Sequence, residues 1–221
     1  MSELTTATLV GDFVAANPDT ARVLTAHGVD YCCGGQRPLA EVCADDGLDA
    51  EALLAELTAV PPTTDDIDVT ELSNADLIDH IVSIHHEYLW REMPRITELA
   101  NKVARVHGAN HPELRAVQTT WQALVAELTD HLMSEEQEEF PAIKQAEGAS
   151  PFDRAGVEQL MREHDAAGEL LLQLRSLTSD YALPADACGS YRALYAGLEK
   201  TEQDLHTHIH KENNVLFPRL F

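Results

Sequence analysis

Apolar residues return every three or four positions through the last two-thirds of the 221-residue chain, the spacing that lines one face of an α-helix. Runs of this kind cover residues 74–106, 112–147, 153–179 and 184–221, with short connections between them. Short connections favour antiparallel neighbours, so the pattern predicts an all-α protein with an up-down-up-down four-helix bundle over residues 71–221. Residues 1–60 read as a small helical domain with helices at 4–16, 18–27, 39–44 and 49–57. A glycine-rich turn separates the second from the third. Between the two parts, at 61–70, a proline pair, threonines and acidic residues interrupt the periodicity and read as a linker. By itself the first part is barely large enough to fold. Pro94, Pro141 and Pro218 fall within or near the ends of long helices. Each removes a backbone donor, which predicts kinks, or a helix end at Pro218.

Polar residues interrupt the apolar stripes at particular places. The second long helix runs Val117, Trp121, Leu124, Leu128, His131, Glu135; the third runs Val157, Leu160, His164, Ala167, Leu171, Leu174. The fourth runs Tyr191, Leu194, Leu198, Thr201, Leu205, His208, Glu212. In each, histidine or glutamate takes a slot that the period reserves for the core. The first long helix offers adjacent His85 and His86; the stripe through His86 continues as Leu89, Met93 and Ile96, which makes His86 the inward one. Two of these turns share a longer pattern, H-x3-E-x4-F-P, at His131 to Pro141 and again at His208 to Pro218. Residues four apart sit on one face, so each copy aims an imidazole and a carboxylate at one point and predicts the same local geometry twice.

A buried ionised carboxylate needs a partner, and a metal ion is an efficient one. His86, His131, Glu135, His164, His208 and Glu212 then form a set of four imidazoles and two carboxylates. That count suits two metals spanned by the carboxylates, with oxide, hydroxide or water completing the coordination. Nitrogen and oxygen donors without thiolate suit iron or manganese. A closed structural zinc site would more often use cysteine and needs four ligands; a single metal would leave ligands unused. His107 is a candidate proton relay at the entrance, and Asp165 a candidate to hold a neighbouring imidazole; an ordinary exposed role competes for both. His206 and His210 lie off the stripe and read as exposed or as lying behind the ligands. His27, His80 and His111 read as surface or capping residues, and the run Glu135 to Glu139 as a solvated face apart from Glu135.

Charge narrows the partners. Fifteen basic against 38 acidic residues give a formal net charge of −23, which argues against nucleic acid and against an anionic membrane. No apolar run is long enough to span a bilayer, and the N-terminus lacks the features of a signal peptide, so a cytoplasmic location is expected. Four cysteines without a disulfide-like spacing fit a reducing compartment. Cys32 and Cys33 are adjacent and followed by Gly34-Gly35. Such a pair can form a strained vicinal disulfide, present two thiolates to a metal or a partner, or simply be two small apolar residues at a helix end.

Taken together, Gly28-Val-Asp-Tyr-Cys-Cys-Gly-Gly35, His85-His-Glu-Tyr-Leu-Trp-Arg-Glu-Met-Pro94, Glu163-His-Asp-Ala-Ala-Gly-Glu-Leu170 and His208-Ile-His-Lys-Glu-Asn-Asn-Val-Leu-Phe-Pro218 make the chain resemble, over nearly its whole length, the di-iron iron–sulfur cluster repair proteins, or repair-of-iron-centres family. The last three motifs are those of hemerythrin-like domains; the Cys-Cys-Gly-Gly element separates this family from plain hemerythrin-like proteins. Trp90 departs from the pattern, standing where a basic residue is more usual. The resemblance implies a hemerythrin-like bundle with two non-haem, oxo- or hydroxo-bridged irons on the six residues above, and a function for Cys32 and Cys33. It implies repair of clusters damaged by nitrosative or oxidative stress, through iron donation or reduction of nitric oxide to nitrous oxide. The partners it implies are damaged iron–sulfur proteins and the diatomic ligands NO and O2; a homodimer also fits. A hemerythrin-like oxygen carrier or redox sensor without turnover, and an iron-dependent peroxidase, are the competing readings.

Overall fold

A computed structural model describes residues 4–61, 67–146 and 154–221. Among them there is no β-strand, only an isolated antiparallel bridge between Leu9 and Pro38. The chain divides into two compact units, one formed by Met1–Leu77 together with His206–Phe221 and the other by Ile78–Leu205. Residues 62–66 of the expected linker, and the expected helix ends at 147 and 153, lie outside the described residues.

The first unit holds α1 (Val10–Ala16), a 3₁₀ turn at Pro18–Thr20, α2 (Ala21–Ala26), α3 (Leu39–Asp46) and α4 (Ala50–Ala59). Helices this short are marginal alone. They close on a common core of Val10, Phe13, Leu24, Leu39, Val42, Leu53 and Leu57, which Ile209 of the C-terminal segment joins. Asp49 caps α4 by accepting from Glu51 N at 3.0 Å and Ala52 N at 3.1 Å. Gly47 ends α3 at φ +71°, a left-handed position that favours glycine. Residues 4–9, expected to be helical, are irregular: Thr8 O and Thr6 O instead accept from Leu39 N and Ala40 N, at 3.0 and 2.8 Å.

The remaining helices follow in order: α5 (Asn74–Ile81), α6 (Glu87–His107), α7 (Glu113–Ser134), α8 (Phe140–Gln145), α9 (Arg154–Leu177) and α10 (Gly189–His210). In the second unit α6, α7, α9 and α10 enclose one core built from Leu89, Ile96, Trp121, Leu124, Leu171, Tyr191 and Leu198. This is a hemerythrin-like up-down-up-down bundle. α6 runs through Pro94 as one helix. The fourth long helix begins at Gly189 rather than near residue 184, because the chain after α9 is committed to a turn. Ser179, Asp180 and Tyr181 have φ of 50, 60 and 57°, left-handed values that cost energy in non-glycine residues. Arg175 holds that turn, pairing with Asp180 and, at 2.7 and 3.0 Å, with the buried Glu202.

Among the described residues, three wide, π-helical turns interrupt the helices, at Val82–His86, Glu135–Glu139 and Lys211–Leu216. The residue after each turn donates to the carbonyl five positions back: Glu87 N to Val82 O, Phe140 N to Glu135 O and Phe217 N to Glu212 O. The repeated E-x4-F spacing is therefore the span of this bond. The proline after each phenylalanine has no N–H to give, so widening the turn sacrifices little.

Candidate metal centre

In the second unit, three of the four stripes deliver polar side chains to one place. Glu135, fully buried at the start of its wide turn, has its Oε2 3.4 Å from His86 Nε2 and 3.3 Å from His131 Nε2. His164 Nε2 stands 3.0 Å from His131 Nε2, the rings meeting edge-on at 4.8 Å. His131, Glu135 and His164 offer ligand atoms within 4.8 Å of one another, so the protein contains a histidine–glutamate group able to hold a metal. His86, on the last residue of its wide turn, is the histidine that faces Glu135; His85 instead meets Asp204 Oδ1 at 3.0 Å through Nδ1.

On His86 and His131 a carboxylate on the far side of the ring turns Nε2 toward Glu135. His86 Nδ1 lies 3.0 Å from Glu136 Oε1, which also accepts from Trp90 Nε1 at 2.8 Å. His131 Nδ1 lies 2.8 Å from Glu163 Oε2, and Gln159 donates to the other Glu163 oxygen at 2.8 Å. Burial raises the Glu163 carboxyl, but the bonds from His131 and Gln159 outweigh it and hold the group below the usual carboxylate range. A carboxylate on the far nitrogen fixes the tautomer and strengthens the ring as a donor. Phe140, the phenylalanine of the repeat, stacks on His86 at 5.6 Å.

The first unit carries the second copy of the repeat. His208 Nε2 lies 2.9 Å from Glu212 Oε1, and both residues are buried. The same wide turn holds the cysteine loop: Asn214 Nδ2 donates to Cys32 O at 2.9 Å and to Tyr31 O at 3.2 Å. A side chain at Gly35 would put Cβ 2.4 Å from Tyr31 O and 2.5 Å from Asn214 Oδ1, so close approach of loop and turn requires glycine there. Asp30 ties the loop itself, accepting from the backbone N–H groups of Cys32, Cys33 and Gly34 at 2.9, 3.0 and 2.9 Å. The Cys32 and Cys33 Sγ atoms are 4.0 Å apart, about twice the disulfide bond length. They are thiols, and the bond to Cys33 together with burial pushes Cys32 well up.

Two supporting residues expected from sequence are placed elsewhere. His107 ends α6, 21 residues beyond His86 and so about 30 Å along the helix; its Nε2 meets Cys188 Sγ at 3.2 Å. Asp165 is exposed, and the carboxylate that holds an imidazole is Glu163, on the other side of His164. Of the two placements expected for His210, exposed or behind the ligands, the exposed one does not hold: it is buried, its Nδ1 3.3 Å from Tyr31 O. His206 packs edge-on against Tyr31 at 6.0 Å.

Donor chemistry and burial define a cation-binding bundle, and comparison with known proteins agrees: residues 77–220 match the family described as Hemerythrin HHE cation binding domain. Residues 6–61 match ScdA_N, a domain of unknown function (DUF542). The chain is 32% identical over 217 residues to the iron-sulfur cluster repair protein ScdA of Staphylococcus haemolyticus, covering 97% of this chain and 98% of that protein. It is 36% identical over 210 residues to the iron-sulfur cluster repair protein YtfE of Enterobacter sp. strain 638, covering 95% and 94%. The same identity, over 211 residues and the same shares, relates it to YtfE of Escherichia coli O139:H28. The chain belongs to this family of iron–sulfur cluster repair proteins.

Proposed function

We propose that this protein repairs iron–sulfur clusters damaged by nitrosative or oxidative stress, using two irons held by His86, His131, Glu135, His164, His208 and Glu212. The observation that carries this reading is the fully buried Glu135 set between two imidazole Nε2 atoms at 3.3 and 3.4 Å, with a second buried histidine–glutamate pair, His208 and Glu212, in the other copy of the repeat. All six donors are nitrogen or oxygen, which suits iron and omits the thiolates that would mark a closed zinc or cluster site. Relatedness along nearly the full chain to proteins named for cluster repair supplies the client.

When bound, the irons would supply either metal for a damaged cluster or the two electrons that couple two nitric oxide molecules, with two protons, into nitrous oxide and water. The residues of this chain hold Nε2 inward through Glu136 and Glu163 and exclude water by burial. Half-buried Cys33, with Cys32 buried beside it, is where this reading places the thiols that meet a client or departing iron. Iron analysis of the purified protein is the first test: about two irons per chain are expected, and far fewer would overturn the assignment. Anaerobic exposure of the reduced protein to nitric oxide then separates the chemistries. Catalytic nitrous oxide production makes it a reductase; none, with iron passing to a damaged [4Fe–4S] protein, makes it a donor. Failure of both sinks the reading.

A further inference from the structure

The second unit holds another group of reactive side chains, where α6 ends and α10 begins. Cys188 caps α10: its carbonyl accepts from Arg192 N at 3.0 Å, and its sulfur lies over the backbone N–H groups of Ser190 and Tyr191. His107 brings Nε2 to 3.2 Å from that sulfur. The imidazole is held in place, edge-on to the Tyr191 ring at 5.3 Å and 6.4 Å from the ring of His111. His111 is in turn fixed by Glu113 at 3.2 Å and Asp186 at 3.0 Å, and the Tyr191 hydroxyl bonds that of Tyr195 at 3.3 Å. The titratable groups around the thiol are thus His107, His111, Glu113, Asp186, Tyr191 and Tyr195.

Cys188 also differs from the other cysteines in access. It is exposed, whereas Cys32 and Cys43 are buried and Cys33 is half-buried. The Tyr191 N–H and the His107 imidazole draw the Cys188 thiol below its ordinary range, while burial draws Cys43 above it. A thiol becomes a nucleophile through its thiolate fraction and its exposure, and this one has both a proton acceptor and N–H donors.

We propose that Cys188 and His107 form a thiolate–imidazole pair, and that Cys188 is where hydroperoxides and other electrophiles first modify this protein. His107 Nε2 takes the thiol proton. The thiolate attacks the terminal oxygen of a hydroperoxide; the S–O bond forms, the O–O bond breaks, and the leaving hydroxide, or alkoxide where the hydroperoxide is organic, takes the proton back from His107 and departs as water or alcohol. Sulfur is oxidised by two electrons and the peroxide is reduced by two. A low-molecular-weight thiol then condenses with the sulfenic acid, forming a mixed disulfide and releasing water. None of these residues belongs to the iron-binding set, so the pair stands or falls separately from the repair reading.

The full-length protein, reacted with iodoacetamide across a pH series and mapped by peptide mass spectrometry, tests the pair without involving iron. Cys188 should alkylate about ten-fold faster than Cys33 at neutral pH, with its midpoint below that of the same cysteine in the urea-unfolded chain. His107→Gln should slow it several-fold and move the midpoint up. With one equivalent of hydrogen peroxide and a dione trap, the sulfenate adduct should map to Cys188. A midpoint equal to that of the unfolded chain, or adducts mainly at Cys33, overturns the proposal. The wild-type pH profile decides even if the variant folds poorly. Cys188→Ser should keep its iron content.

Discussion

Glu136 and Glu163 show how much of the candidate metal site lies behind its proposed ligands. Each reaches the far nitrogen of a histidine on another helix, at 3.0 and 2.8 Å. Glu163→Gln keeps the shape but weakens the acceptor for His131, and should reduce iron affinity about 10–100-fold, as measured by competition with a chelator; unchanged affinity would mean Glu163 is only a surface residue. The sequence makes Glu135 legible because it falls on the apolar stripe. Glu136 and Glu163 stay hidden because they sit one residue off it, within a run that reads as a solvated face and beside His164. Only the packing of neighbouring helices aims them at a ring. Tyr31 gives a second test at this scale. Burial, with the adjacent Cys32 and Asp30, pushes its phenol up to about 12. A phenol raised above its unfolded value of about 10 stabilises the fold fully below pH 10, and that contribution, at most about 2–3 kcal/mol, is lost between 10 and 12. Alkaline unfolding followed by circular dichroism should therefore begin near pH 10 with tyrosinate absorbance rising in step. Tyr31→Phe should weaken that step without abolishing it, because burial raises Tyr88, Tyr181, Tyr191 and Tyr195 as well; an unchanged step would show that Tyr31 contributes nothing.

The wide turns are the elements that the sequence announced without explaining. The repeat H-x3-E-x4-F-P was visible, and periodicity placed its histidine and glutamate on one face. That E-x4-F is the span of an i to i−5 bond needs the backbone, since hydrophobic period alone does not distinguish a helix from a helix with one extra residue in a turn. The same limitation explains the fourth long helix. Residues 184–188 continue an acceptable helical composition, yet the left-handed run Ser179–Tyr181 and its Arg175 clamp hold the chain out of the helix until Gly189. Deleting Gln137 tests the turn as a unit. It would turn the i to i−5 bond into an ordinary i to i−4 bond, and because the wide turn already absorbs one residue, Phe140 and Ile143, each 2% exposed, would keep their core faces. Urea unfolding should therefore change by less than about 1 kcal/mol, with little change in helical circular dichroism. A loss of about 2–5 kcal/mol would show instead that the downstream helix had lost its register.

At the scale of the whole molecule, charge was readable from the start and the grouping of segments was not. Nothing in the periodicity of the fourth helix says that His206–Phe221 clusters with the N-terminal residues, because Ile209 meeting the core of Val10, Phe13 and Leu24 is a contact between distant parts of the chain. The net charge of −23 has a physical consequence that can be measured. Surface pairs such as Arg37–Glu41 and Arg95–Glu92 weaken with salt, but exposed pairs of this kind contribute little. With 38 acidic against 15 basic residues, repulsion among unmatched carboxylates dominates, and it opposes the compact state. Screening relieves it as the Debye length falls from about 30 Å at 0.01 M to about 10 Å at 0.1 M. The melting temperature of the metal-depleted protein should therefore rise by about 2–8 °C between 0.01 and 0.3 M sodium chloride, equivalent to about 1–2 kcal/mol in a chain of this length. The rise should flatten above that, because screening saturates; a rise that continues linearly would mark preferential exclusion of salt instead. A falling melting temperature would show that the surface pairs outweigh the repulsion. The same field attracts cations, so the rate of ferrous iron uptake should fall over the same range of salt in which the protein grows more stable.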